Sequence, residues 1–130
     1  MVDPDFPSPK NTISPQYVHF LATDFKIAGA DKTLVTDTDR IHIPYTSPAT
    51  SASPETKGVH RYIFLLYAQK TVGGKDLKKG SLKGVADPPD RKAFNLKEFQ
   101  EGNELGEPIA GIHFLQEVAP HKKRATSFWG

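Results

Sequence analysis

Apolar side chains crowd most densely between Gly58 and Gln69, in the run G-V-H-R-Y-I-F-L-L-Y-A-Q. In an extended chain, successive side chains alternate between two faces. His60, Tyr62, Phe64, Leu66 and Ala68 then share one face, with Val59, Arg61, Ile63, Leu65 and Tyr67 on the other. Past the first three residues both faces are mostly apolar, the pattern of a strand covered on two sides. A helix competes for so short a run, but the aromatic and β-branched content, with Gly58 just ahead, favours a strand. The pattern sets a histidine and a tyrosine on one face at the start of this strand, beside a hydrophobic floor.

The same alternation predicts a second strand over Tyr17 to Ile27. Tyr17, His19, Leu21, Thr23 and Phe25 would share a face, with Val18, Phe20 and Ala22 opposite. Gly29 to Arg40 reads as a polar connection, and Arg40 to Tyr45 as a short strand with His42 structural or exposed. Pro44 to Lys57, rich in Pro, Ser, Thr and Ala, reads as a loop running into the Gly58 strand. It would form the rim of whatever His60 and Tyr62 line. Lys70 to Lys92 reads as a long charged loop. Asn95 predicts the N-cap of a helix from Leu96 to about Gln100, stopped by Gly102, with Leu96 and Phe99 turned to the core. Pro108 to Val118 predicts a last strand, in which Gly111 allows close backbone approach or a bulge. The domain is therefore expected over residues 1–119. Residues 120–130 form a basic tail without periodic pattern, expected to be flexible, and no internal repeat is present.

Composition narrows the class. At 130 residues with 37% hydrophobic content, one domain with a real core is expected, and eleven prolines and ten glycines favour turns over long helices. No stretch approaches the roughly 20 apolar residues of a membrane span. The opening residues lack the basic-then-apolar pattern of a secretory signal. The absence of cysteine excludes disulfides, zinc thiolate sites and a cysteine nucleophile. It also fits a reducing compartment, so a cytoplasmic location is expected. A net charge of +2, from 17 basic and 15 acidic residues, is too balanced to argue for nucleic acid. The basic clusters at Lys70 to Lys83 and His121 to Arg124 read as solvated surface.

The opening M-V-D-P-D-F-P-S-P carries the candidate chemistry. Pro4, Pro7 and Pro9 fix φ and restrict the residues before them, so Asp3 and Asp5 sit on a stiff, non-helical segment. This is either an ordinary Asx-type turn or a preorganised pair of acceptors. A carboxylate accepting one ring N–H of a histidine favours the imidazolium. Asp3 can do this for His19 or His60, leaving the other ring nitrogen to donate to a phosphate oxygen, with Tyr62 as a neutral donor. A lone histidine in the position of His19 is otherwise more often a hydrogen-bonded core residue. Arg61 falls on the opposite face of its strand and is assigned a structural role, pairing with Asp5. Catalysis finds little support: there is no G-x-S-x-G elbow, no cysteine and no H-E-x-x-H spacing. No metal or cofactor is expected.

D-P-D-F-P-S-P at Asp3 to Pro9, the strand histidine His19, and G-V-H-R-Y at Gly58 to Tyr62 together resemble the phosphatidylethanolamine-binding protein family. A-F-N-L-K-E-F and P-I-A-G-I-H-F-L-Q, further along, are similar as well. The resemblance implies a mostly β fold, an antiparallel β-sandwich with a few short helices. It also implies a small surface pocket for phosphate-like anions and phospholipid head groups, lined here by Asp3, Pro7, Tyr17, His19, Pro54, His60 and Tyr62. Family members carry a region before the D-P-D motif, so this chain is expected to be an N-terminally truncated relative, missing strands. The function implied is a non-catalytic binding protein, acting as an inhibitor or regulator of a protein target such as a serine carboxypeptidase or a kinase. A protein-interaction module with a vestigial pocket is the second reading, and a hydrolase the third.

Overall fold

A computed structural model describes residues 1–8, 11–12, 16–48, 51–52, 58–69, 82–86 and 88–120. Its principal sheet has five strands in the order β4-β1-β10-β11-β9. The order places β1 (Val2–Asp3) between β4 (Tyr17–Val18) and β10 (Gly58–Leu66), both antiparallel to it. β11 (Ala110–Pro120) runs antiparallel to β10 over its whole length, from Gly58↔Val118 to Leu66↔Ala110. β9 (Ser51–Ala52) joins the far end of β11 in parallel. The protein is thus mostly β, with antiparallel pairing dominant, as expected.

Three two-stranded ladders complete the strand set. They are β2 (Pro7–Ser8) with β3 (Asn11–Thr12), β5 (Leu21–Ala22) with β8 (Ile41–Ile43), and β6 (Lys26–Ala28) with β7 (Thr33–Val35). The stretch read as one strand from Tyr17 to Ile27 is therefore three. It breaks first because the amides of His19 and Phe20 both reach the carbonyl of Met1, at 2.8 and 3.3 Å. Two residues then oppose one, as in a β-bulge. It breaks again at Asp24, which has φ 58°, a left-handed conformation no strand sustains. The region from Gly29 to Arg40 is more than a connection. It contains the β6–β7 hairpin, turned by Gly29 and Lys32 at φ 74° and 56°, and a 3-10 helix over Thr38–Arg40.

α1 (Leu96–Gly102) begins where Asn95 caps it, its side chain accepting the Glu98 N–H at 3.1 Å. Gly102 is the last helical residue; the stop is made by Asn103, whose Nδ2 donates to Phe99 O at 2.8 Å. Phe99 is buried and Leu96 packs beside it, as the spacing predicts. Val2, Val18, Ile43, Leu82, Phe94 and Phe99 form the core, with Leu21 and Ile63 packed against it. Val18 and Leu21 would lie on opposite faces of one continuous strand; the break between them lets both turn inward.

The covering of β10 on two sides is only partial among the described residues. His60 and Tyr62 are buried, but Val59 is 51% exposed and Phe64 36%. Ile112, opposite Phe64 on β11, is 71% exposed. An apolar trough of about 810 Å³, lined by residues including Val2, Val18, Leu21, Ile63 and Leu65, opens beside the core. Gly111 does provide close approach: a Cβ there would lie 3.2 Å from Phe64 O. No helix among the described residues is long and apolar enough to cross a membrane.

Candidate functional site

Strand register builds the site. Val2 pairs with both Val18 and Ile63, and all three turn to the core side. The next residue, Asp3, must then face the other way, level with Tyr17 of β4 and with the His60–Tyr62 face of β10. Three adjacent strands so deliver a carboxylate, two histidines and two tyrosines to one side of the sheet.

Asp3 Oδ2 accepts from His60 Nδ1 at 2.6 Å, with the side chains 4% and 2% exposed. Its other oxygen, Oδ1, accepts the Asp5 N–H at 2.8 Å and closes the Pro4 turn. The motif is thus an Asx turn whose other carboxylate oxygen meets His60. Asp5 grips the neighbouring residue, accepting from Arg61 N at 2.8 Å, Arg61 Nε at 3.0 Å and Arg61 Nη2 at 2.9 Å. The Arg61 guanidinium holds the Asp5 carboxyl below the usual carboxylate range, against the opposing effect of burial. The expected Arg61–Asp5 pairing is thus present, with Arg61 on the face of β10 opposite His60 and Tyr62.

His19 is held differently. Its Nδ1 donates to Thr46 O at 2.8 Å, and Thr46 N donates back to His19 O at 3.0 Å. Asp3 therefore orients His60 and not His19, although its charge also acts on the His19 ring. Burial pushes the His19 imidazole below its ordinary value, with the nearby Arg91 charge adding to it and the Thr46 bond and Asp3 opposing. The Nδ1–H assignments follow from the acceptors, since a carboxylate or a carbonyl oxygen can only accept.

The rings form a connected series. Phe6 meets Tyr17 at 4.9 Å between centroids, Tyr17 meets His19 at 4.7 Å, and His19 meets Tyr62 edge-on at 5.2 Å. Tyr62 stacks with His60 at 6.2 Å and with Phe114 at 5.2 Å. Burial, with the Asp3 and Asp5 charges behind it, pushes the Tyr62 phenol up to about 12, so it stays a neutral donor. The arrangement brings two imidazoles and two phenols into one series of ring contacts, with Phe6 and Phe114 at its ends.

Of the residues singled out in the sequence, Asp3, Tyr17, His19, His60 and Tyr62 are brought together. Pro7 lies next to this group in β2, following a cis Phe6–Pro7 peptide. Pro54 lies outside the described residues, as do most of the lysine-rich loop and residues 121–130. Sequence reasoning missed Phe6, Phe114, Thr46 and Arg91. Phe6 sits inside the acidic motif and was open to notice; Phe114 needed the β10–β11 register, and Thr46 and Arg91 act through backbone contacts that residue spacing does not encode. His42 belongs to a separate buried contact, its Nε2 2.9 Å from Thr23 Oγ1, and so is structural. Among the described residues no group of three or more His, Cys, Asp or Glu could hold a metal ion.

Fold and site define a β-rich protein in which an aspartate-held histidine and an aromatic wall share one sheet face. The chain matches the phosphatidylethanolamine-binding protein family over residues 1–115 and belongs to it. Curated relatives include plant proteins. It is 33% identical to Protein BROTHER of FT and TFL 1 of Arabidopsis thaliana, over 95% of this chain and 60% of that one. Identity to CEN-like protein 4 of Nicotiana tabacum is 33%, over 88% of this chain and 54% of that protein. Protein FLOWERING LOCUS T of Arabidopsis thaliana is 32% identical over the same shares, 88% and 54%. The chain thus spans little more than half the length of these relatives.

Proposed function

We propose that this chain is a non-catalytic binding protein whose sheet-face site takes a phosphate-like anion, as a phospholipid head group or a phosphorylated small molecule presents it. The supporting observation is the 2.6 Å Asp3–His60 contact beside His19 and Tyr62. With Nδ1 of His19 turned to Thr46 O, its Nε2 is the atom that meets the ligand, beside the ring of His60 that Asp3 holds. A phosphate oxygen accepts from the Tyr62 hydroxyl and, once the His19 ring carries its second proton, from His19 Nε2–H. Aromatic walls reduce competition from water and strengthen those bonds. Because burial keeps His19 neutral, anion binding there takes up a proton. The proposal extends to a regulatory role toward a protein target, a protease or a kinase, which membership of the family supports, and to a cytoplasmic location, with which the cysteine-free composition is compatible.

A second reading, a protein-interaction module with a vestigial pocket, is favoured by one observation. His60 and Tyr62 are each 2% exposed, so an anion reaches them only after the surrounding side chains move. Titration with phosphoethanolamine and inorganic phosphate, followed by the histidine and tyrosine NMR resonances, separates the two. Saturable shifts of His19, His60 and Tyr62, abolished by His60→Ala, are expected. Absence of shifts at millimolar ligand in a folded sample overturns the binding reading in favour of the second.

A further inference from the structure

A residue outside the ring series controls where His19 points. The 3-10 helix Arg91–Ala93 is tied to the entry of β4, where Gln16 N donates to Phe94 O at 2.7 Å and Leu96 N donates to Gln16 Oε1 at 3.1 Å. From this anchorage the Arg91 guanidinium reaches two segments that are distant in sequence. Nη1 donates to His19 O at 3.0 Å and to Val18 O at 3.4 Å; Nη2 donates to Pro44 O at 2.7 Å. Pro44 lies two residues before Thr46, which carries the carbonyl that receives His19 Nδ1–H. The planar fork therefore spans both halves of the clasp that fixes the His19 ring. Its donors are directed at backbone carbonyls and away from the ring series.

From this bridge we infer that Arg91 is a positioning residue for the anion site, a clamp across Val18–His19 and Pro44 that aims the His19 imidazole at Tyr62. The inference rests on the binding function proposed above. Arg91 touches no ligand; it holds the 44–46 segment against β4, and Thr46 then selects the Nδ1–H tautomer and presents Nε2 to the site. Lysine at this position keeps the charge but, as a compact ammonium on a flexible stem, cannot span both carbonyl groups in one plane. Arg91→Lys thus separates the geometry of the clamp from its charge.

Sulfate is the probe, because it stays a dianion throughout the range in which histidine titrates. Binding is measured by calorimetry, and the tautomers of His19, His42 and His60 by ¹⁵N chemical shifts, for wild type, Arg91→Lys and Arg91→Ala. Arg91→Lys is expected to bind sulfate about tenfold more weakly, the affinity equivalent of one hydrogen bond. His19 should move toward a mixed tautomer while His42 and His60 keep theirs. A merely structural arginine would lower thermal stability without singling out the His19 tautomer. Wild-type sulfate affinity and an unchanged His19 signature in Arg91→Lys overturn the inference. If the wild type fails to bind sulfate but Arg91→Lys still shifts the His19 tautomer, the binding function falls and the clamp stands. Should Arg91→Ala fail to fold, Arg91→Lys carries the whole comparison.

Discussion

Replacing Asp3 by asparagine removes one charge from the buried pair and leaves the volume almost unchanged. The amide oxygen can still accept the Asp5 N–H that closes the turn, now at 2.8 Å. The amide nitrogen then faces His60 Nδ1, where the carboxylate oxygen lies 2.6 Å away in the native protein. Two donors cannot share that bond, so the His60 ring must give up its proton at Nδ1 and carry it at Nε2. Stripping one partner from a buried ion pair costs about 3–5 kcal/mol, whereas a hydrogen bond to a charged group is worth about 1.5–3 kcal/mol. Asparagine recovers a neutral bond by the tautomer change, so the lower range governs, and the expected loss is about 2 kcal/mol. For a chain of this length that lowers the melting temperature by about 6–10 °C. Urea unfolding followed by fluorescence and by circular dichroism measures the loss, and coincident curves establish two-state behaviour. A double-mutant cycle with His60→Gln should show at least about 1 kcal/mol of coupling. If Asp3→Asn unfolds within about 0.5 kcal/mol of wild type, the range of an ordinary surface change, the pair is not what holds the site.

Three further outcomes follow from burial and backbone geometry. His19 binds its proton more weakly folded than unfolded, so the unfolded chain takes up the proton first and stability should drop as pH falls below about 6.5. His19→Gln should flatten that part of the urea-midpoint profile, and an unchanged profile would sink the assignment. Phe99→Ala empties a core position where the ring is 4% exposed and lies 5.4 Å from Phe94; a loss of about 3–5 kcal/mol is expected in chemical denaturation. Gly84 has φ 78°, and a Cβ there would stand 3.2 Å from Phe99 Cα. Gly84→Ala should therefore destabilise by about 1–3 kcal/mol, while alanine at Gly106, with nothing within 4 Å, reports the backbone contribution alone.

β10 was legible because nine consecutive residues stay extended and are rich in aromatic and β-branched side chains, and its site-bearing face because strand parity puts His60 and Tyr62 together. The helix was legible for the same kind of reason: Asn95 and the Leu96–Phe99 spacing are local signals. The Tyr17–Ile27 stretch misled because its alternation is real in sequence but is interrupted by non-local demands, the shared Met1 carbonyl and the Asp24 turn. Neither leaves a mark in hydropathy. The acidic motif announced rigidity through its prolines, yet which histidine Asp3 would hold was fixed only by the β1–β10 register. Arg61 could be sent to the face opposite His60 and Tyr62 by parity alone, and its partner, Asp5, lies in the same short turn as Asp3.

The doubled contact at the Met1 carbonyl has a consequence for how this chain tolerates changes in length. Removing or adding a single residue between Tyr17 and Leu21 would either erase the bulge or shift the phase of everything after it. The imidazole of His19 would then swing to the core side and an aliphatic side chain would take its place among the rings. The Gly29–Lys32 hairpin tip, by contrast, is solvent-exposed and carries none of the site's contacts. Natural or engineered indels should accumulate at that tip and be purged from the four residues around His19, a signature readable from deep insertion–deletion scanning without any ligand in hand.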